Sequence, residues 1–462
     1  MQPISAKILL AGLAPESQLS DKTIHLVTTD SRNIQPGCVC VAFPGARFDG
    51  HDFACRAAEQ GAAYVVVNHP VEGLPAEKQI VCPDSYRAMM TIGANYRAQF
   101  APGLLGITGS VGKTTTKEFC YAVLSAGGEA IKTEGNQNNE LGMPNTLLRL
   151  TDSTQYAAVE MGLSNLGEIS RLSRAARPDA GLITCIGVSH MENLGSRENI
   201  LKAKLEICDG LPEGAPLILN GDDPYLRGAD LPGHVRPVWF AVDDQTADVV
   251  AKDIVQEGNT THFTLCDKEN GSCAVTIPTI GRHNVANALA AYAAGTRMGL
   301  DAAKSAAALS DIHQTGMRQH MVECAGVTVI EDCYNANPDS MKAALEMFKT
   351  FRCRRRFALL GDMLELGTIS GQAHTRLAVQ AAENGVDRLI TYGDACRAAA
   401  EKAAQLGLSQ VHTQSYREIA DILLDEVQPG DAILVKGSRG MALEKALAFF
   451  YAEWPQRASH AN

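Results

Sequence analysis

The chain has 462 residues, is 45% hydrophobic and 20% charged, and carries a formal net charge of -11. At roughly 150 residues per domain that length suggests about three domains, and the acidic balance argues against a nucleic-acid binder, which usually carries a basic patch. No apolar run approaches the ~18 residues of a membrane-spanning helix, and Met1 to Leu13 lacks the basic, apolar and small-residue segments of a signal peptide, so the expected location is cytoplasmic.

Residues 1–99 hold short β-rich runs, Thr23 to Val27 and Ala63 to Val67, and close on a helical stretch from about Ala88 to Phe100. Cys38 and Cys40 alternate in a strand-like run, which reads as core packing. The 13 cysteines form no CxxC pair, and cytosolic thiols stay reduced, so neither a disulfide framework nor a zinc site is expected. Residues 100–311 begin with an apolar run and a glycine-rich loop, then alternate buried strands with helices, the pattern of a parallel sheet. Residues 312–462 repeat that alternation in Val327–Ile330, Phe357–Leu360, Arg388–Tyr392 and Ala432–Val435. In open α/β sheets ligands lie outside the carboxyl ends of the strands, so chemistry is sought just after each run.

Leu104 to Thr108 reads as a strand, Gly109-Ser110-Val111-Gly112 as a tight loop, and Lys113-Thr114-Thr115 as a helix start. Glycines let backbone N–H groups turn onto phosphate oxygens, and the helix N-terminus adds positive potential. In that arrangement Lys113 reaches the β- and γ-phosphates of ATP and the Thr114 hydroxyl ligates Mg²⁺. The first glycine of the strict G-x-x-x-x-G-K-[ST] pattern falls at Ile107, so the segment fits a variant, T-G-S-x-G-K-T-T; the bland alternative is a glycine turn beside a surface lysine.

The strand Tyr156 to Gly162 carries Glu160 near its end, the usual place for a second Mg²⁺ anchor beside a phosphate loop. Gly181 to Ile186 runs into Gly187-Val188-Ser189-His190, where His190 is either a metal ligand or a hydrogen-bonded loop histidine. Lys202 and Lys204 follow on one helix; two residues apart, they cannot share a face, and the pattern does not select between them. Asp222 and Asp223 follow the strand Pro216 to Leu219 and either approach the nucleotide or cap the next turn. Asn284 and Asn287 lie at i and i+3 at the start of an alanine-rich helix and share a face. Two amides there read a purine edge, unless Asn284 is a helix N-cap.

Together these segments resemble the Mur ligases, the ATP-dependent amide-forming family of bacterial cell-wall precursor synthesis. The resemblance runs nearly end to end, through Thr108 to Thr115, Asn138 to Pro144, Glu160, His190, Lys204 and Arg282 to Asn287. Asp332-Cys333-Tyr334-Asn335-Ala336-Asn337-Pro338-Asp339-Ser340-Met341, Gly361-Asp362-Met363-Leu364-Glu365-Leu366-Gly367 and Val435 to Arg439 are similar to the branch that adds D-alanyl-D-alanine to UDP-N-acetylmuramoyl-tripeptide.

The resemblance implies an α/β protein of three domains: a UDP-sugar-binding region (1–99), a central ATP-binding P-loop-type, mostly parallel sheet (100–311), and a C-terminal Rossmann-like, dipeptide-binding domain (312–462). It implies a carbamate on Lys204, with Thr114, Glu160, His190 and Lys204 holding Mg²⁺, and catalysis by Lys113, Glu160, His190 and Lys204. ATP is expected against Gly109 to Thr115, Asn284, Asn287, Arg318, Asp332, Tyr334 and Asn335. The UDP substrate is expected against Ser31, Arg32, Asn138 and Asn139, and the dipeptide carboxylate against Lys436 and Arg439.

Val111 stands where many relatives have Asn, and contributes its backbone. Thr315-Gly316-Met317-Arg318 keeps the phosphate-contacting arginine, and the asp-asn-pro-arg-type tetrapeptide of the branch that adds the diamino acid is missing. The expected reaction activates the tripeptide carboxylate as an acyl phosphate, which the dipeptide amine then attacks. Alternatives are another amide ligase of the superfamily, at a different Mur step or on folylpolyglutamate, and a non-catalytic nucleotide switch. A monomer is expected.

Overall fold

The computed structural model describes residues 1–45, 48–312 and 316–460. Three parallel-rich sheets organise it. In the first, the order is Val27–Thr28, Val39–Val41, Tyr64–Val67 and Gln79–Val81, all parallel. The run Thr23 to Val27 is not one strand: Thr23–Ile24 pairs antiparallel with Ile4–Ser5, and Val27–Thr28 starts the four-stranded sheet. Side chains alternate faces only within a straight strand, and here the chain bends between two sheets after Ile24. Cys38 and Cys40 are buried, and all thirteen thiols are free.

The helix Ser85–Arg97 starts where the Asp84 carboxylate accepts the N–H groups of Tyr86 and Arg87. Its far end is fastened to the next region: Tyr96 Oη donates to Leu150 O (2.8 Å) and Arg97 Nε to Ala176 O (3.1 Å).

The central sheet has nine strands in the order Gly271–Ile277, Thr260–Asp267, Val249–Glu257, Val235–Ala241, Ala215–Asn220, Ala180–Ile183, Gly103–Thr108, Tyr156–Glu160 and Ala130–Lys132. Pairing is parallel from Ala130–Lys132 through Val249–Glu257. The last two pairings are antiparallel, a meander that the expected strand–helix alternation did not include. Gly258-Asn259 supplies its first turn, with Gly258 at φ 58, and burial alternates along Thr260–Asp267 as in a sheet with one covered face.

Gly103–Thr108 sits between Tyr156–Glu160 on one side and Ala180–Ile183 on the other, so the chain reverses its direction of travel across the sheet there. That is the position at which doubly wound sheets open a crevice at their carboxyl ends. The helices Lys113–Ser125 and Arg282–Arg297 cover the crevice's rear. Alanines dominate the buried face of the second, including Ala288, Ala290, Ala291, Ala293 and Ala294, and these short side chains let it lie close to the first.

The C-terminal sheet has the order His320–Cys324, Val327–Glu331, Ala432–Lys436, Arg356–Gly361, Arg388–Tyr392 and Gln410–Thr413; only its first pairing is antiparallel. No helix among the described residues is long and apolar enough to cross a membrane.

Candidate active site

A cavity of about 600 Å³ opens at the carboxyl ends of the central strands, and its far wall comes from the C-terminal sheet. Its floor is the loop after Gly103–Thr108. Gly109 has φ +148, and a Cβ there would overlap Thr184 Oγ1; Gly112 has φ +86, and a Cβ there would lie 2.9 Å from Asn287 Oδ1. Only glycine meets both demands. The helix that follows has no side-chain cap, so its first N–H groups remain available to an anion. Ser110 Oγ is buried with no hydrogen-bond partner.

Lys113 folds back so that Nζ donates to Gly109 O at 2.8 Å. Burial lowers its pKa, Glu160 opposes that shift, and Arg318 adds to it. Thr114 Oγ1 donates to Glu160 Oε2 at 3.0 Å, and Asn138 Nδ2 donates to Glu160 Oε1 at 2.8 Å. Lys117, only 1% exposed, adds a cation 3.9 Å from Glu160 Oε2 and 3.3 Å from Glu118, which also pairs with Lys132. Sequence reasoning did not single out Lys117 or Glu118.

His190 has a left-handed backbone, φ 61, and lines the cavity. Burial lowers its pKa to about 4, helped by the charges of Lys113 and Lys204, so the ring is neutral near pH 7 and able to ligate. Of the two helical lysines, Lys202 is exposed and Lys204 is buried at 2% exposure. Burial, then the charge of Lys113, holds the Lys204 amine well below its ordinary pKa. Lys204 does not line the cavity itself. Asp222 and Asp223 are structural: Asp222 accepts the N–H groups of Val242, Asp243 and Asp244, and Asp223 caps Pro224–Arg227 and accepts Ile186 N–H.

At the start of Arg282–Arg297 the amides form a relay. Thr116 Oγ1 donates to Asn287 Oδ1 (3.0 Å), Asn287 Nδ2 to Asn284 Oδ1 (3.1 Å), and Asn284 Nδ2 to both Ile280 O (2.9 Å) and Gln319 Oε1 (2.7 Å). Gln319 Nε2 lies 2.7 Å from His283 Nε2. Asn284 is therefore not a helix cap, since Gly281 occupies that position. Gln319 had no sequence signal of its own; its neighbour Arg318 did.

Arg318 stacks over the Tyr334 ring at 4.1 Å. Thr315, two residues beyond Met317 toward the N-terminus, lies outside the described residues. Lys436, 3% exposed, forms a 2.6 Å ion pair with Asp332 and also donates to Asn335 O at 3.2 Å. Arg318, Asp332, Tyr334, Asn335 and Lys436 all line the cavity that contains Lys113. Asn337 Nδ2 donates to Ser189 Oγ at 2.6 Å, and Val188 N–H donates to Asp339 Oδ2 at 3.0 Å, which sews the C-terminal sheet to the loop before His190.

Ser31, Arg32 and Arg439 do not line this cavity. Arg32 is clasped by Asp30 and Arg439 by Glu444 (2.7 Å). Asn139 lines the cavity but spends Oδ1 on the N–H groups of Leu141 and Gly142, at the start of Gly142–Leu147.

Three family models match the chain: Mur ligase family, catalytic domain, over residues 23–97; Mur ligase middle domain, over 107–295; and Mur ligase, glutamate ligase domain, over 317–439. The UDP-N-acetylmuramoyl-tripeptide--D-alanyl-D-alanine ligase of Bacillus subtilis is 38% identical over 443 residues, 95% of each chain. Among solved structures, MurF from Acinetobacter baumannii superposes with a TM-score of 0.90 at 30% identity, covering 98% of this chain and 100% of that one. MurF ligase from Thermotoga maritima in complex with ADP gives a TM-score of 0.83 at 27% identity, covering 93% and 98%.

Proposed function

Because the chain belongs to the Mur ligase family, we propose that it joins D-alanyl-D-alanine to UDP-N-acetylmuramoyl-tripeptide, converting ATP to ADP, in peptidoglycan precursor synthesis. The carrying observation is one cavity in which a phosphate loop with Lys113 faces Arg318, Asp332 and Lys436 from another sheet, in a chain that matches the Bacillus subtilis ligase over 95% of both lengths. We read residues 1–99 as the UDP-sugar region, with Ser31 and Arg32, residues 100–311 as the ATP region, and residues 312–462 as the dipeptide region. The protein acts as a cytoplasmic monomer.

A carboxylate resists attack by an amine because its charge repels the nucleophile and it has no leaving group. Phosphorylating it supplies one. The chain's task is then to hold anions and neutralise charge in a place without water. The loop amides and Lys113 hold the β- and γ-phosphates, with the unpartnered Ser110 hydroxyl beside them. Arg318, kept planar against Tyr334, meets the transferring group from the opposite wall. Once the carboxylate of the tripeptide has taken the γ-phosphate, the amine of the dipeptide displaces phosphate to form the amide.

The donor set fits Mg²⁺: a hydroxyl (Thr114), a carboxylate (Glu160), an imidazole (His190) and a buried amine whose pKa burial lowers (Lys204), able once deprotonated to add CO₂ and become an anionic oxygen donor. Bound there, Mg²⁺ supplies positive charge against the triphosphate.

The test is ADP release by the purified chain with UDP-N-acetylmuramoyl-tripeptide and a panel of acceptors. Release that depends on D-alanyl-D-alanine is expected. Release driven equally by single amino acids, or by glutamate with a folate, would assign a different ligase step.

A further inference from the structure

A histidine that ligates a metal through one ring nitrogen almost always gives its other N–H to a carboxylate, carbonyl or water, which fixes the tautomer and the ring's aim. The buried Nδ1 of His190 has no hydrogen-bond partner, yet a carboxylate oxygen of Glu365 lies 3.0 Å away, off the line of the ring N–H. Glu365 belongs to the C-terminal region, whereas His190 follows a strand of the central sheet.

The loop that offers Glu365 is held at its base by three side chains. Asp362 accepts the N–H groups of Ala395 (3.1 Å) and Cys396 (2.7 Å). His374 Nε2 accepts Met363 N–H at 3.0 Å while its Nδ1 faces Ser370 O at 2.8 Å. Ser438 Oγ accepts Leu364 N–H at 2.9 Å. Asp362, His374 and Cys396 bring ligand-type atoms within 4.8 Å of one another, but these bonds engage the carboxylate and both ring nitrogens, so the cluster serves to pin the loop. Glu365 then adopts a left-handed backbone, φ 62, and Gly367 turns at φ 54 against Glu192. The Glu365 carbonyl faces Glu192 N–H at 3.4 Å. Two residues in left-handed conformations, His190 and Glu365, thus face each other across the seam, each held there by its surroundings.

We propose that Glu365 is the positioning residue for His190: its carboxylate accepts a hydrogen bond from Nδ1–H, which fixes that tautomer and leaves Nε2 directed to the metal in the phosphate cavity. The C-terminal region therefore completes the metal site as well as the phosphate site. This rests on the reading of His190 as a metal ligand.

Mn²⁺ binding to the full chain saturated with AMP-PNP, followed by electron paramagnetic resonance, tests it. Glu365→Ala should weaken Mn²⁺ binding about 10- to 100-fold, Glu365→Gln should weaken it less because an acceptor oxygen remains, and neither should lower affinity further in a His190→Ala background. An unchanged Mn²⁺ affinity in Glu365→Ala would overturn the proposal and leave the metal reading standing. An equal loss in the His190→Ala background would overturn it too, because Glu365 would then act without His190. Absence of Mn²⁺ binding to the unaltered chain would remove the metal reading and this proposal with it.

Discussion

Asn138→Ala separates two readings of one residue. Its position in the motif from Asn138 to Pro144 assigns it to the UDP substrate, whereas its Nδ2 donates to Glu160 Oε1 at 2.8 Å. The substitution removes one of two side-chain hydrogen bonds to a buried carboxylate; Thr114 retains the other. A hydrogen bond to a charged group is worth about 1.5–3 kcal/mol, or roughly 10- to 150-fold at about 1.36 kcal/mol per tenfold. Asn138 is only half-buried, so water partly replaces the lost donor and the effect should fall near the lower end, about tenfold. Steady-state ADP release, with MgATP and the UDP substrate varied in turn, gives the answer. KM for MgATP should rise about tenfold while KM for the UDP substrate stays put. The opposite pattern would refute the argument and return Asn138 to the UDP substrate.

Lys204→Ala should abolish phosphate release, and small carboxylates such as formate should restore part of it by standing in for the carbamate; Lys202→Ala, on the exposed side of the same helix, should leave turnover near normal, and full activity of Lys204→Ala would remove the ligand role. Stability should depend on Asp431 in acid: burial alone would raise its carboxyl pKa, but hydrogen bonds from Arg355 and Arg354 outweigh burial and hold it below the ordinary 3.8. The folded state then favours the charged form, so this contribution is fully present above the ordinary value and is lost as pH falls through the lower folded value. Urea midpoints measured from neutrality down past pH 3.8 should fall more steeply for the unaltered chain than for Asp431→Asn, and parallel curves would refute the assignment.

Local pattern carried much of the architecture. Buried runs followed by polar or glycine residues marked the strands that end at the site, because a parallel strand covered on both faces must be continuously apolar and its chemistry must start where the apolar run stops. Ser110 to Gly112 of the glycine loop, Glu160 and His190 end or follow such runs, and all of them line the same cavity. The rule failed where its premise failed. Thr23 to Val27 is apolar enough for a strand yet bends between two sheets. The meander Val249–Ile277 has one covered face, so its signal is alternation with a Gly258-Asn259 turn, not a continuous apolar run.

The site's connections were less legible than its parts, for a reason that follows from how side chains meet. Helical and strand periodicities report which residues of one element share a face, and say nothing about which elements face each other across a seam. Gln319, next to Arg318, meets Asn284 across the seam, Lys436 pairs with Asp332 at neighbouring strand ends of the C-terminal sheet, and Glu365 approaches His190. None of these pairs shares an element, so no spacing encodes them. Arg318, Asp332 and Lys436 were nevertheless named from motif position, while Gln319 meets Asn284 only where the C-terminal region docks on the helix Arg282–Arg297. The cavity is therefore walled by two sheets, with Lys113 on one side and Arg318 and Lys436 on the other, and any chemistry done there depends on how those sheets dock.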